Sequence, residues 1–517
     1  MYEKFTKHAG IVSFGIFLSR ILGFVRDFLL AHFFSKELRG VFFAAWVIPN
    51  MFRMLLGEGA LSSSFIPVFV RYLKKEGKSS AWQLASIVIN LLLIVSLLIV
   101  FFGIIFAPII CSIVAPGFIN LGLIPSMASV LKIIFPYLIL ICLSAVIMGI
   151  LNSLERFGPP SLAPVMLNLS FIIFILFICP CLKDPLFGLS LAVLLGGVLQ
   201  VLIQAPALFN EGFGYKPIIS LSHPGVKEIG IKMLPGLIGF AVYQVNIAVD
   251  TICASLIGPS ALSSLYYANR LIDLPLALFG TAIGIVALPS ISRSIAENDL
   301  EEAKKTLNWA ARLVLVIILP VMVGFIILGK EIISLLFEHG EFSRSETNAS
   351  YLALFFYTLG LVFSCGIKPV VSFFYALGDT KTPLKVAGFC MVLNIALNLL
   401  FVKPLEEGGL ALATSMSCWI NLSILTIILK KRIGLVDIRL VLKTFVKSLI
   451  AGIIMGIFLL AFLKIGLSSA LNVGGGIILC VFIYLLCGKL FRISEVSTLR
   501  NTFYKGRNLD NKRLIRL

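Results

Sequence analysis

Residues 83–113 read QLASIVINLLLIVSLLIVFFGIIFAPIICSI and contain no Asp, Glu, Lys or Arg. A helix of about 20 mainly apolar residues is long enough to cross the hydrocarbon core of a bilayer. Further stretches of this kind follow one another along the chain, so the sequence predicts an all-α membrane protein with about fourteen transmembrane helices. The predicted spans are residues 9–34, 41–70, 83–113, 127–154, 161–182, 186–209, 228–257, 264–291, 308–336, 349–377, 384–402, 409–429, 441–463 and 470–491.

The composition of the whole chain points the same way. Of its 517 residues, 59% are hydrophobic and 13% are charged, whereas soluble domains have about 45–50% and about 25%. A net charge of +18 would suggest a nucleic-acid partner in a soluble protein. Here Lys and Arg lie mainly in short loops and in the tail, so the positive-inside rule explains them and no nucleic acid is expected.

Alternate loops differ in their content of Lys and Arg. One set is rich in both, for example over residues 71–78 and 293–312, whereas the other set carries little beyond residues such as Lys36. Loops rich in Lys and Arg stay in the cytoplasm. We therefore expect both termini to be cytoplasmic, with residues 493–517 forming a basic tail that faces lipid headgroups.

The chain also contains an internal repeat of 222–224 residues. The paired landmarks are Pro67 with Pro289, Pro160 with Pro383, and Phe42 with Tyr266. Six spans return the chain to its starting side, so the repeat predicts two six-helix lobes in the same orientation, a pattern typical of alternating-access transporters. A duplicated static scaffold is the alternative. The predicted ranges are 1–215 for the N-terminal lobe, 216–432 for the C-terminal lobe, and 433–492 for two additional helices.

Several predicted spans contain ionisable side chains, which are costly in a bilayer and usually face a cavity or a partner. The arginines near the front of the two halves are Arg20, Arg26, Arg53 and Arg270. Because the planar donor fork of arginine suits phosphate, these residues predict an anionic, phosphate-bearing substrate. The alternative is that they hold helices together in ion pairs, such as Arg26 with Asp27 or Glu58, and Arg270 with Asp273.

No sequence motif predicts catalysis. The chain lacks a nucleophile elbow, a zincin motif, a Walker A loop and a Rossmann glycine run. Its ten cysteines are scattered without zinc-like spacing, and most are expected to be small buried hydrophobic residues. The sequence therefore predicts a transporter and no metal centre.

Four segments are the most specific in the chain: SRILGFVRD at 19–27, PNMFR at 49–53, GEGA at 57–60 and YYANRL at 266–271. In these segments, and over nearly its whole length, the chain resembles the MurJ (MviN) family, the lipid II flippases of the MOP exporter superfamily. The resemblance implies transport of lipid II, an undecaprenyl-pyrophosphate carrying the disaccharide-pentapeptide of peptidoglycan. It also implies alternating access in the bacterial cytoplasmic (inner) membrane without ATP, and dependence on the membrane potential.

The resemblance further implies roles for particular residues. The two additional helices would form a groove for the lipid tail, and Asp27 and Asp273 would serve as gate or ion-pair residues. The side chains expected to bind the substrate are Arg20, Arg26, Arg53, Arg270, Ser19, Asn50 and Glu58.

The chain departs from the family pattern at two positions. Relatives often place aspartate where this chain has Gly40 and Asn269, so an acidic gate contact is expected to be missing or replaced. Some relatives bind sodium in the second lobe. Here Asp250, Asn394 and Asn398 are the candidate oxygen ligands for Na⁺, while pairing of Asp250 with a basic residue is the alternative.

Other functions remain open at this point. A flippase for a different undecaprenyl-linked glycan would share the cationic cavity, whereas a MATE-like drug or cation antiporter would be expected to place carboxylates at its centre. A membrane-embedded glycolipid transferase would need clustered acidic metal ligands near a membrane face, and the sequence contains none.

Overall fold

The computed structural model describes residues 2–55, 60–434 and 438–496, and the regular structure in these ranges is helical. The helices of the first half are α1 (Tyr2–Phe33), α2 (Lys36–Phe52), α3 (Ala60–Lys75), α4 (Gly77–Ile105), α5 (Ala107–Val114), α6 (Gly117–Asn120), α7 (Ile124–Ile134), α8 (Tyr137–Ser153), α9 (Gly158–Ile173), α10 (Pro185–Leu202) and α11 (Ala205–Asn210). Those that follow are α12 (Pro224–Ile257), α13 (Pro259–Pro275), α14 (Ala282–Ala296), α15 (Leu300–Phe337), α16 (Arg344–Ala376), α17 (Lys381–Ile433), α18 (Ile438–Leu463) and α19 (Ser469–Leu490).

Polar side chains fix where several helices begin. At the start of α10, Asp184 Oδ1 accepts a hydrogen bond from the Leu186 N–H at 3.0 Å, and at the start of α15, Asp299 Oδ1 accepts one from the Glu302 N–H at 2.9 Å. Caps of this kind contribute about 1 kcal/mol each. Helix α15 begins at Leu300, so the mixed-charge residues 300–312 form its first part and lead directly into the apolar residues that follow.

Ten helices in the described ranges are long and apolar enough to cross a membrane. One of them, α17, is interrupted at Glu406 (φ 48°, ψ −128°), so the predicted spans 384–402 and 409–429 lie on either side of this break. The predicted spans 9–34, 41–70 and 228–257 fall on α1, on α2 with α3, and on α12, which are not among the ten. The structure is thus an all-helical membrane protein that is compatible with fourteen spans, and the number itself stays a prediction.

The described residues form two units by their contacts, Met1–Ser263 with His339–Phe342, and Ser264–Glu338 with Ser343–Leu517. In the first unit, α12 packs against α2 and α3. The lobe boundaries expected at residues 216 and 433 stay predictions.

Helix starts repeat along the chain at one constant interval. The paired starts are Lys36 with Pro259, Gly77 with Leu300, and Gly158 with Lys381, each 223 residues apart (259 − 36 = 223). A π-helical turn also recurs, over residues 53–55 in the first half and Leu276–Thr281 in the second. This interval matches the offset of the sequence landmarks and supports the predicted internal repeat.

The connection after α11 is an extended strap that lies along α4. Phe213 packs edge-on against Trp82, with ring centroids 5.4 Å apart, and the Lys216 N–H donates to Ser86 Oγ at 3.3 Å. The Asn90 amide donates to the Lys216 carbonyl at 3.0 Å. Because the α4 residues follow one another every four positions, they lie on one helix face and guide the strap along it.

Candidate functional site

Arg26 on α1 is held by groups from two helices. Its Nε and Nη2 donate to Asp27 Oδ1 at 3.0 and 2.8 Å, and its Nη1 donates to Asn168 Oδ1 on α9 at 3.1 Å. Its guanidinium carbon lies 5.4 Å from the centre of the Phe171 ring. The predicted contact between Arg26 and Asp27 is therefore present. Because these two residues are neighbours in one helix, Asn168 supplies the bond that links α1 to α9.

The other polar residues of the 19–27 segment differ in their surroundings. Arg20 is exposed, and within the described part of the chain no carboxylate forms an ion pair with it. Ser19 is half-buried and faces α9, where its carbonyl oxygen and its Oγ accept from Asn168 Nδ2 at 3.0 and 3.4 Å. Helix α1 thus carries one exposed guanidinium, at Arg20, and one supported guanidinium, at Arg26.

At the C-terminal end of α2, Arg53 and Asn50 lie one turn apart and their side chains meet. Arg53 Nε donates to Asn50 Oδ1 at 2.9 Å, and both side chains are half-buried. Arg53 opens the π-helical turn, a geometry that is rare and concentrated at functional sites. Glu58, expected to act beside them, lies outside the described residues.

In the second unit, Arg270 and Asp273 lie one turn apart on α13, where Arg270 is half-buried and Asp273 is exposed. The π-helical turn Leu276–Thr281 begins three residues after Asp273. Asn269, at a position where aspartate was expected, donates from Nδ2 to the Tyr357 hydroxyl of α16 at 3.4 Å. A neutral hydrogen bond to α16 is therefore formed at this position.

The three candidate sodium ligands fall into two groups. Asp250 belongs to α12 in the first unit, and its Oδ2 accepts from Asn246 Nδ2 at 3.2 Å. Asn394 and Asn398 are buried on α17 in the second unit, where Asn398 Nδ2 donates to Asn394 Oδ1 at 3.0 Å. Among the described residues, no three His, Cys, Asp or Glu side chains are grouped to hold a metal ion. The sodium site stays a prediction.

Gly40 occupies a position with no room for a side chain. A Cβ built on Gly40 would lie 2.2 Å from the Pro259 carbonyl oxygen, far closer than van der Waals contact. The backbones of α2 and of the start of α13 touch at this point, which gives a steric reason for glycine in place of the expected aspartate.

Asn168 and Lys368 are among the polar residues inside predicted spans that the sequence analysis did not single out. Asn168 carries no charge and lies in the apolar stretch 161–182, where only its isolated polar character could have singled it out. Lys368 lies in the predicted span 349–377 and is exposed on α16, with its Cβ against Gly284 of α14. A count of intramembrane cations that included lysine would have found it.

An apolar cavity of about 480 Å³ lies in the second unit between α15, α18 and α19. Its lining includes Pro320, Phe325, Met455, Ile477 and Val481. Side chains of this kind favour hydrocarbon over a charged headgroup. The two helices of the predicted lipid-tail groove, α18 and α19, border this apolar cavity, and the groove itself stays a prediction.

The sequence of this chain matches one family along most of its length. A family model described as "Lipid II flippase MurJ" matches residues 30–483. The chain is 35% identical over 415 residues to a "Probable lipid II flippase MurJ" of Buchnera aphidicola subsp. Baizongia pistaciae, covering 79% of this chain and 80% of that protein. It is 34% identical over 432 residues to a "Probable lipid II flippase MurJ" of Vibrio cholerae, covering 82% of each.

Solved structures show the same likeness in three dimensions. A structure described as "Lipid II flippase MurJ, inward closed conformation" superposes with a TM-score of 0.77 at 26% identity, covering 93% of this chain and 99% of that one. An inward-facing multidrug resistance MATE family transporter of the MOP superfamily gives a TM-score of 0.68 at 17% identity, covering 80% and 94%. At that identity the second likeness shows a shared fold alone.

Proposed function

Because the chain belongs to the lipid II flippase MurJ family, we propose that it moves lipid II across the bacterial cytoplasmic membrane by alternating access. The observation that carries this proposal is the set of guanidinium groups on α1, α2 and α13, at Arg20, Arg26, Arg53 and Arg270. A charged residue in a span is retained when it serves a pathway or a substrate. Arginine is the side chain whose donor geometry best matches a pyrophosphate.

The two ends of lipid II call for two kinds of surface. Its pyrophosphate requires hydrogen-bond donors and positive charge, which the arginines supply. Its undecaprenyl chain requires apolar walls, which the 480 Å³ cavity beside α18 and α19 supplies. The chain would act as a transporter and not as an enzyme, since the cargo crosses the membrane chemically unchanged.

Sodium is part of the same proposal as a coupling or modulating ion. The carboxylate of Asp250 and the amide oxygens of Asn394 and Asn398 are hard oxygen donors of the type that alkali and alkaline-earth cations prefer. Replacing Na⁺ by K⁺ in a flipping assay should lower the rate, and an Asp250→Asn variant should lose that dependence. An identical rate in both salts would remove sodium from the mechanism.

The MATE-like drug antiporter is the weaker alternative. Such a transporter would be expected to use carboxylates for cationic cargo, whereas the predicted spans 9–34 and 41–70 carry three arginines, Arg20, Arg26 and Arg53, against the two carboxylates Asp27 and Glu58. The fold shared with MATE proteins is also common to the superfamily and does not select a substrate.

Complementation tests the proposal directly. Bacteria depleted of their own lipid II flippase would receive the wild type or Arg→Ala variants at Arg20, Arg26, Arg53 and Arg270. Arg156→Ala is the matched control, because Arg156 is 63% exposed and pairs with Glu211 outside the spans. We expect rescue by the wild type and the control only, at equal membrane levels. Failure of a well-inserted wild type would instead point to another undecaprenyl-linked glycan.

A further inference from the structure

One side chain of α9 contacts two positions of α1 that lie two turns apart. Asn168 is 7% exposed, and its amide bonds both to Arg26 and to the backbone of Ser19. Seven residues correspond to nearly two full turns, or about 10 Å along the axis, so both positions share one face of α1. Because side chains lean toward the N-terminus of their helix, Arg26 reaches back toward Ser19 and one amide can meet both groups.

The chemistry of these contacts requires an amide. The guanidinium can only donate and the Ser19 carbonyl can only accept, so the position must offer one acceptor and one donor side by side. Aspartate would place an oxygen against the Ser19 carbonyl and a second negative charge beside Arg26. Leucine would leave both groups in an apolar interface without this partner.

Two further contacts of Arg26 come from the same two helices. Phe171 lies one turn beyond Asn168 on α9 and packs beneath the guanidinium, while Asp27 takes the Nε edge. Arg26 keeps 16% of its side-chain surface exposed. The guanidinium is thus held in a fixed direction with part of its surface open, which lowers the entropic cost of binding an anion.

We propose that Asn168 is a positioning residue that aims the Arg26 guanidinium and ties α1 to α9 at the headgroup site. The identity of the anion as the pyrophosphate of lipid II rests on the proposed function. Asn168 itself need not touch the cargo, since it acts through Arg26.

The positioning role of Asn168 is tested by measuring the affinity of purified variants for fluorescently labelled lipid II. Asn168→Asp should weaken binding by at least about tenfold, because it removes a donor and neutralises the cation further. The double variant Asn168→Asp with Asp27→Asn restores the net charge but not the donor to the Ser19 carbonyl, so it should remain clearly weaker than the wild type. Asn308→Asp is the matched control, since Asn308 on α15 is also 7% exposed and should bind as wild type does. Wild-type affinity in Asn168→Asp, or full recovery in the double variant, would overturn the proposal, because charge alone would then account for the binding.

A second readout needs no cargo. In a Ser19→Cys background, the alkylation rate of the thiol at position 19 reports how well α9 covers this face of α1. Adding Asn168→Leu should raise that rate several-fold, whereas adding Asn308→Leu should leave it unchanged. An unchanged rate in Asn168→Leu would contradict the positioning role. A raised rate in a protein whose wild type does not bind lipid II would uphold the positioning role and reject the cargo.

Discussion

At the scale of single residues, the two arginines of α1 have different surroundings and should respond differently to the same substitution. Arg26 makes three kinds of contact at once: it donates hydrogen bonds to Asp27 and to Asn168, and its guanidinium lies over the ring of Phe171. Lysine offers one ammonium that cannot reproduce this planar arrangement. Arg20 is exposed and contributes its charge without a comparable set of supporting contacts. We expect Arg26→Lys to lose flipping by at least about tenfold and Arg20→Lys to retain most of it.

Flipping would be measured in proteoliposomes with wild-type-level reconstitution of each variant. Arg20→Gln and Arg26→Gln, which remove the charge, serve as the reference for complete loss. If the Arg26→Lys and Arg20→Lys variants flip lipid at the same rate, the contacts around Arg26 do not matter for transport and only its charge does.

Gly40 leads to a prediction about packing at a single residue. Its missing Cβ lets the backbone of α2 touch the Pro259 carbonyl, and a methyl group there would have to push two backbones apart. Overpacking of this kind typically costs about 1–3 kcal/mol. We expect Gly40→Ala to lower the melting temperature in detergent. Gly388→Ala is the control, because no atom lies within 4 Å of the Cβ position at Gly388 and alanine favours a helix. Equal melting temperatures for the two variants would contradict the close contact at Gly40.

Residue contacts within one helix were predictable, and those between helices were not. The spacing of Asn50 and Arg53 by one turn predicted their contact from helix geometry alone. The bond from Asn168 to Arg26 joins residues 142 positions apart. No periodicity in the sequence specifies which faces of α1 and α9 meet, so this contact required the packed structure.

At the scale of helices, the turn between α16 and α17 is closed by a small polar cluster. Gly378 adopts φ +75°, which allows a tight turn, and Asp379 Oδ1 accepts from the backbone N–H groups of Lys381 and Thr382 at 3.0 and 2.9 Å. Arg432, at the far end of α17, bonds to Thr382 Oγ1 at 3.1 Å and to Asp379. The cluster therefore ties the two ends of the bent helix α17 together.

The Asp379 cluster predicts a defined dependence of stability on pH. Hydrogen bonds from Thr382, together with Arg432, lower the pKa of the Asp379 carboxyl to about 2. A lowered pKa stabilises the fold above the unfolded value near 4 and loses that effect as the pH falls through the folded value. Asp379→Asn should cost about 1 kcal/mol, since Arg432 is partly exposed and screened by solvent.

Thermal unfolding of the wild type and of Asp379→Asn from pH 8 to pH 3 measures how the stabilisation by Asp379 depends on pH. The gap in melting temperature between the wild type and Asp379→Asn should be constant from pH 8 to about pH 5 and should shrink below about pH 4. A gap that changes between pH 8 and pH 6 would mean that a different group is titrating.

The helices themselves were largely predictable because hydrophobic length and the internal repeat both constrain them. The pattern located α4, α15 and α16 and also predicted a break within the segment that forms α17. The π-helical turns after α2 and α13 were not predicted, because an extra residue in a helical turn leaves no mark on composition. They became visible only when the structure placed both at the same point of the 223-residue repeat.

At the scale of the whole molecule, the number of crossings decides where the arginines act. If only the ten strongly apolar helices crossed the bilayer, α1 and α2 would lie outside it and Arg20, Arg26 and Arg53 would not line a transport pathway. If all fourteen predicted spans cross, these arginines are inside the membrane and require a partner there. The topology of α1, α12 and α17 is therefore a test of the mechanism as well as of the fold.

Single-cysteine labelling in intact cells separates the two topologies. Three pairs of positions flank the disputed segments: Glu37 with Lys78, Ser222 with Ser260, and Lys381 with Lys403. The native cysteines would be replaced first, since Cys181 is exposed. With fourteen spans, the positions Glu37, Ser260 and Lys403 should react with a membrane-impermeant maleimide, and their partners should react only after permeabilisation.

The ten-span alternative gives a different pattern at every pair. No crossing would then separate Glu37 from Lys78 or Ser222 from Ser260, so each of these pairs would label from the same side. Position 403 would lie within the single span formed by α17 and would resist the reagent on both sides. Opposite labelling of Glu37 and Lys78 would show that residues 41–70 cross the bilayer and would place Arg53 in it. Same-side labelling of this pair would remove Arg53 from the membrane, and a contribution of Arg53 to a route for a pyrophosphate would no longer be tenable.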